Sequence, residues 1–96
     1  MHRYVIERDL PGVGALTAEQ ISVVAQTSNH AVSTIGTGVQ WIRSQITDDR
    51  IYDEYLAESE QLVYEHAIRA GLPSTRVSRV RCVVDPTSGN TIRVRE

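Results

Sequence analysis

Three histidines, one cysteine and a scatter of acids are the groups in this chain able to hold a metal or move a proton. His66 follows Leu62 by four residues and precedes Ala70 by four, so on a helix it shares their inward face. An imidazole there is a metal ligand, an acid–base group, or a core histidine satisfied by hydrogen bonds. His30 flanks the apolar stripe of an earlier helix, which suits an exposed position or the rim of a dimer contact, and His2 is terminal. No two histidines share an HxH or HxxxH motif, so a metal site has to be assembled across the fold or between copies. Glu7 and Asp53 are the hard oxygen donors expected to lie near arginines on the sheet.

Nucleophilic chemistry has little support. Ser44 and Ser78 have no evident base, and no catalytic residue is assigned. Cys82 is the only cysteine, so neither an intrachain disulfide nor a CxxC zinc site is available, and its strand position predicts a buried thiol. The glycines of Leu10-Pro-Gly-Val-Gly-Ala15 lack the spacing of a dinucleotide or P-loop motif.

The elements that must position these groups follow from periodicity and punctuation. Residues 3–9 are rich in β-formers and predict a strand. Thr17-Ala-Glu-Gln20 is a capping-box pattern, and Ile21, Val24, Ala25, Ser28, Val32 and Ile35 recur at helical spacing up to Gly36. Residues 39–47 and the run IYDEYLA form a hairpin about Asp48-Asp49-Arg50. Ser59 caps a second helix that ends at Gly71, with Pro73 beyond it, and residues 76–84 predict a fourth strand. The order strand, helix, strand, strand, helix, strand implies an α+β, ferredoxin-like βαββαβ plait: a four-stranded antiparallel sheet with both helices on one face. The domain is placed at residues 3–86, and residues 87–96 form a C-terminal tail or an extra edge strand over 92–94.

Alternation along the strands predicts two faces. Tyr4, Ile6, Ile42, Tyr52, Leu56 and Cys82 are expected toward the helices. Glu7, Trp41, Arg43, Asp53, Tyr55, Arg79 and Arg81 are expected on the open face, with several valines. Such a face is too apolar to leave in water, which predicts a homodimer. It also suggests a ligand pocket in which Trp41 and Tyr55 stack, Arg43, Arg79 and Arg81 orient an anionic group, and Glu7 or Asp53 acts as base.

Composition narrows the classes. The length of 96 residues suits one domain, which buries roughly two-thirds of its unfolded surface. A net charge of −2 removes the electrostatic case for general nucleic-acid binding. The ten basic residues are all arginine, rigid forks suited to carboxylates and phosphates. No apolar run reaches membrane-spanning length and the N-terminus has no signal-peptide core, so a cytoplasmic protein is expected.

The stretches YVIERDLPGVGALTAEQ, GVQWIRSQITDDRIY and YEHAIRAGLPSTRVSRV resemble a family of small bacterial proteins of largely unknown function. Its best-described type is a dimeric nickel-binding protein with a ferredoxin-like fold. The resemblance covers roughly residues 3 to 86. The pieces ERDLP, QW, S-x-x-TDD and EHAxRAGxP occur in order. It implies a plait, a homodimer and binding of nickel or another divalent transition metal, with His66 in the EHA motif, and it implies no reaction. Two departures bear on metal. The third strand of the family reads aromatic-Cys-apolar-Tyr, whereas here it reads Tyr52-Asp-Glu-Tyr55. A family cysteine near position 29 is Asn29 here, followed by His30. Imidazole and carboxylate remain, which hold nickel, zinc or copper with less selectivity than thiolate.

Two functions stay open from sequence. One is a small dimeric metal-binding protein with donors drawn from His66, His30, Asp53 and Glu7. The other is a small-molecule binder or enzyme using the open-face cleft.

Overall fold

A computed structural model describes residues 1–71 and 76–90. Strand β1 (His2–Asp9) leads through a short 3-10 turn (Val13–Ala15) into helix α1 (Ala18–Ile35). Strands β2 (Val39–Ile46) and β3 (Arg50–Ala57) form the hairpin, helix α2 (Glu60–Ala70) follows, and β4 (Arg76–Arg79) completes the sheet. The order across the sheet is β2-β3-β1-β4, every neighbouring pair antiparallel. This is the ferredoxin-like plait.

The helix boundaries have the expected local causes. The Thr17 hydroxyl accepts from the Gln20 amide while the Gln20 side chain accepts from the Thr17 amide, so both halves of the capping box are present. The Ser59 hydroxyl accepts from the Leu62 amide and starts α2, and Gly71, at φ 70°, ends it in the left-handed conformation.

The core lies between the sheet and both helices. Tyr4 and Ile6 of β1, Val39 of β2, and Tyr55 and Ala57 of β3 pack against Val63 and Ala67 of α2, with Val32 of α1 at the margin. Burying a side chain such as Ile6 or Val63, both fully enclosed, contributes about 1.5–3 kcal/mol.

The pieces ERDLP and TDD meet in space. The Leu10 amide donates to the Asp49 carbonyl at 2.9 Å, Gly14 to the Asp48 carbonyl at 3.0 Å, and the Gly12 amide to Asp49 Oδ1 at 3.0 Å. A Cβ on Gly14 would stand 2.7 Å from the Asp48 Cα, so glycine there permits the docking of loop on hairpin. These glycines are architectural.

Three expectations are corrected. The faces of β3 are inverted: Ile51, Asp53, Tyr55 and Ala57 are buried under the helices, and Tyr52, Glu54 and Leu56 face outward. In β2 an irregularity between Trp41 and Arg43 shifts the phase, so Val39 and Trp41 share the helix side with Ser44 and Ile46. The fourth strand ends at Arg79 instead of residue 84. The last paired residues are Tyr4 and Arg79, and the Val80 amide still reaches the Arg3 carbonyl at 2.8 Å. Residues 81–85 therefore run past the sheet in the open, and Cys82 is exposed, not inward. A turn follows at Pro86–Asn90. The extra strand expected over 92–94 lies outside the described residues.

The open sheet face carries ion pairs between the apolar side chains Val5, Tyr52 and Leu56. Glu54 is shared by Arg3 at 2.9 Å and Arg43 at 3.3 Å, and Glu7 faces Arg76 at 3.9 Å.

Candidate functional site

The inversion of β3 builds a buried polar network on the helix side. Arg8, in phase with Tyr4 and Ile6, points inward from the end of β1 and is fully buried. Its Nε donates to Asp53 Oδ2 at 2.6 Å. The other carboxylate oxygen, Oδ1, accepts from the Ser44 hydroxyl at 2.5 Å, and Ser44 Oγ accepts in turn from Trp41 Nε1 at 3.0 Å. The chain Trp41–Ser44–Asp53–Arg8 thus runs across three strands. The charges of its two ionic members cancel.

Tyr55 and His66 form the next layer. Their ring centroids are 4.6 Å apart with planes tilted by 59°. His66 Nε2 lies 3.3 Å from the Ser28 carbonyl, which can only accept, so Nε2 carries the hydrogen and Nδ1 the lone pair of the neutral ring. Nδ1 and the Tyr55 hydroxyl are buried without a hydrogen-bond partner. Burial, and the Arg8 guanidinium after it, hold the His66 pKa below its ordinary value against the pull of the Ser28 carbonyl and Asp53. Burial first, then the Asp53 carboxylate, push the Tyr55 phenol well above its own. Both rings are neutral near pH 7.

The candidate metal donors separate into three places. His66 and Asp53 meet in this core network. Glu7 lies on the open face beside Arg76. His30 is exposed on α1, two residues past Ser28 and so about 200° around the helix from the carbonyl side facing His66. Among the described residues no group of three or more His, Cys, Asp or Glu stands close enough to hold an ion.

The candidate pocket residues also disperse. Trp41 and Tyr55 belong to the helix side, Arg43 pairs with Glu54 on the open face, and Arg79 and Arg81 are exposed near the start of β1. Arg79 contacts His2 Nδ1 at 2.9 Å. No open-face cleft is formed by this set. A cavity of about 240 Å³ opens instead between α1 and the hairpin, with Ile21, Val24 and Ala25 on one side and Trp41, Ser44 and Asp53 on the other. Arg8 and Ser44 were missed as members of a site. The alternation Tyr4, Ile6, Arg8 was a signal for a buried cation that needs a buried acid.

A family model described as "SCO4226-like: Nickel responsive protein SCO4226-like" matches residues 4–80. Among solved structures the chain is similar to the crystal structure of SCO4226 from Streptomyces coelicolor A3(2), with a TM-score of 0.71 at 15% identity. That alignment covers 85% of this chain and 99% of the other. At such identity the likeness shows the fold. No curated protein matches the chain.

Proposed function

The chain belongs to the SCO4226-like nickel-responsive family, and from that premise we propose that it is a small homodimeric protein binding nickel or a similar divalent transition metal, acting in the cytoplasm. The observation carrying this reading is the family match, which spans all four strands and both helices.

The donors of one chain do not fit a nickel site. Asp53 is already committed to Arg8 and Ser44, and His66 is enclosed beside the same guanidinium. A divalent ion there would face a buried cation in a medium of low dielectric. His66 and Asp53 therefore serve the core, and the reachable imidazoles are His30 on α1 and His2 at the start of β1, the latter in contact with Arg79.

His30 stands two turns along α1 from Val23, which is 60% exposed, so an apolar group and an imidazole share one outer stripe. A two-fold contact along that stripe duplicates every donor on it, and the one imidazole of the stripe becomes two per dimer. Imidazole suits nickel, copper and zinc alike. This puts the metal between copies, where His30 of each is the first donor.

Thermal unfolding of metal-stripped, tag-free protein tests the reading. A ligand at a hundredfold excess over its Kd stabilises the native state by about 2.7 kcal/mol. Nickel should raise the Tm by roughly 10 °C or more in a domain of this size. The rise should vanish in His30→Ala and persist in His2→Ala, the control for adventitious terminal binding. A full rise in His30→Ala removes the donor assignment, and no rise in the unaltered chain removes metal binding.

A further inference from the structure

The cavity between α1 and the hairpin is a gap that close packing normally removes. Its rim is apolar and incompletely covered: Ile21 is 41% exposed, and Val24, Ala25 and Trp41 are half-buried. Its base is polar and built, because Asp53 is only 5% exposed and is fixed by bonds from two strands. A buried ion pair contributes little to stability over a hydrophobic replacement, so its presence below an open apolar cavity points to recognition.

Size and hydrogen-bond capacity define the ligand. The volume, about 240 Å³, exceeds the roughly 150 Å³ that accommodates benzene and falls short of the roughly 300–1,000 Å³ of drug-sized sites. One or two rings fit. The Trp41 N–H is spent on Ser44 and the Ser44 O–H on Asp53, so neither is left to donate to a guest. Each carboxylate oxygen of Asp53 retains a further lone pair. Asp53 and Arg8 together carry no net charge, which gives neither an anion nor a cation an advantage.

We propose that this cavity binds a neutral, otherwise apolar molecule of one or two rings that presents a single N–H or O–H donor to Asp53. The site lies on the inner side of α1, away from the stripe of Val23 and His30, and does not depend on metal.

Indole is a suitable probe, with 1-methylindole as its counterpart lacking the donor. The full-length protein, held in EDTA, is titrated with each and followed by amide shifts in 15N-edited NMR. Indole should give saturable one-to-one shifts centred on Val24, Ala25 and Ser44. 1-Methylindole should bind about tenfold or more weakly, the loss expected for a hydrogen bond to a carboxylate. Ala25→Leu, which fills the cavity, should abolish the shifts. Should that variant not fold, Ile21→Glu at the exposed rim should weaken indole at least about tenfold by placing a charge against an apolar guest. Absence of saturable shifts, shifts centred elsewhere, equal binding of the two probes, or undiminished binding to the folded variants would each overturn the proposal.

Discussion

Arg8 Nε donates to Asp53 Oδ2 across 2.6 Å, with the arginine side chain fully buried and the aspartate side chain 7% exposed. The pair joins the end of β1 to the middle of β3 and is the only ion pair among the described residues with both side chains below a tenth exposed. It decides which face of β3 turns inward, and it occupies the carboxylate that a metal would otherwise use.

Breaking either side of that pair leaves a buried charge alone. Arg8→Met and Asp53→Asn should each cost about 3–5 kcal/mol in urea unfolding. The double variant leaves neither charge and should cost less than the sum by about 2 kcal/mol or more. Additive costs in the double-mutant cycle would contradict the coupling.

The neighbouring acid makes the opposite prediction. Glu54 meets two arginines, but on the solvent side of the sheet with a quarter of its side chain exposed and its partners more so. Screened pairs of this kind contribute little, so Glu54→Gln should cost less than about 1 kcal/mol. A loss as large as that of Asp53→Asn would show the open face to be covered in solution.

His66 gives the fold a pH dependence. Its folded pKa is held below the ordinary value of 6.5, so on acidification the unfolded chain takes up its proton first. The unfolded state binds more protons in that window, and stability therefore rises with pH. Urea midpoints should fall as pH drops below about 6.5, and His66→Gln, which can still donate to Ser28, should flatten that part of the profile. An unchanged slope in the variant would remove His66 as its source.

Gly14 should tolerate no side chain. A Cβ would meet the backbone of Asp48 and Thr47, which cannot swing away as a side chain can. Gly14→Ala should cost about 1–3 kcal/mol in thermal or urea unfolding. Gly89, with nothing within 4 Å of its Cβ position, should accept alanine within about 0.5 kcal/mol.

Much of the architecture was legible because local chemistry and tertiary fold agree. The Thr17 and Ser59 caps and the Gly71 stop mark the helices in sequence as they do in space. The plait follows from the order of elements. The site was not legible, and β3 shows why. In IYDEYLA both alternating sets hold apolar residues and one acid, Asp53 in one and Glu54 in the other, so hydropathy cannot choose the inward face. Arg8 chooses it, from a strand some forty residues earlier, by supplying the cation that makes Asp53 the buried acid. In β2 the irregularity after Trp41 breaks the period of two on which any alternation argument rests. β4 stops pairing with β1 at Arg79 although Val80 to Val84 are rich in β-formers.

Native mass spectrometry of metal-stripped, tag-free protein, with Ni²⁺, Zn²⁺ and Cu²⁺ in competition, tests the central claim most directly. The account predicts a dimer that retains a divalent transition metal and binds nickel when it is offered alone, a monomer fraction free of metal, and loss of the adduct in His30→Ala. Nickel held by the monomer, or a dimer that retains no ion, would contradict it.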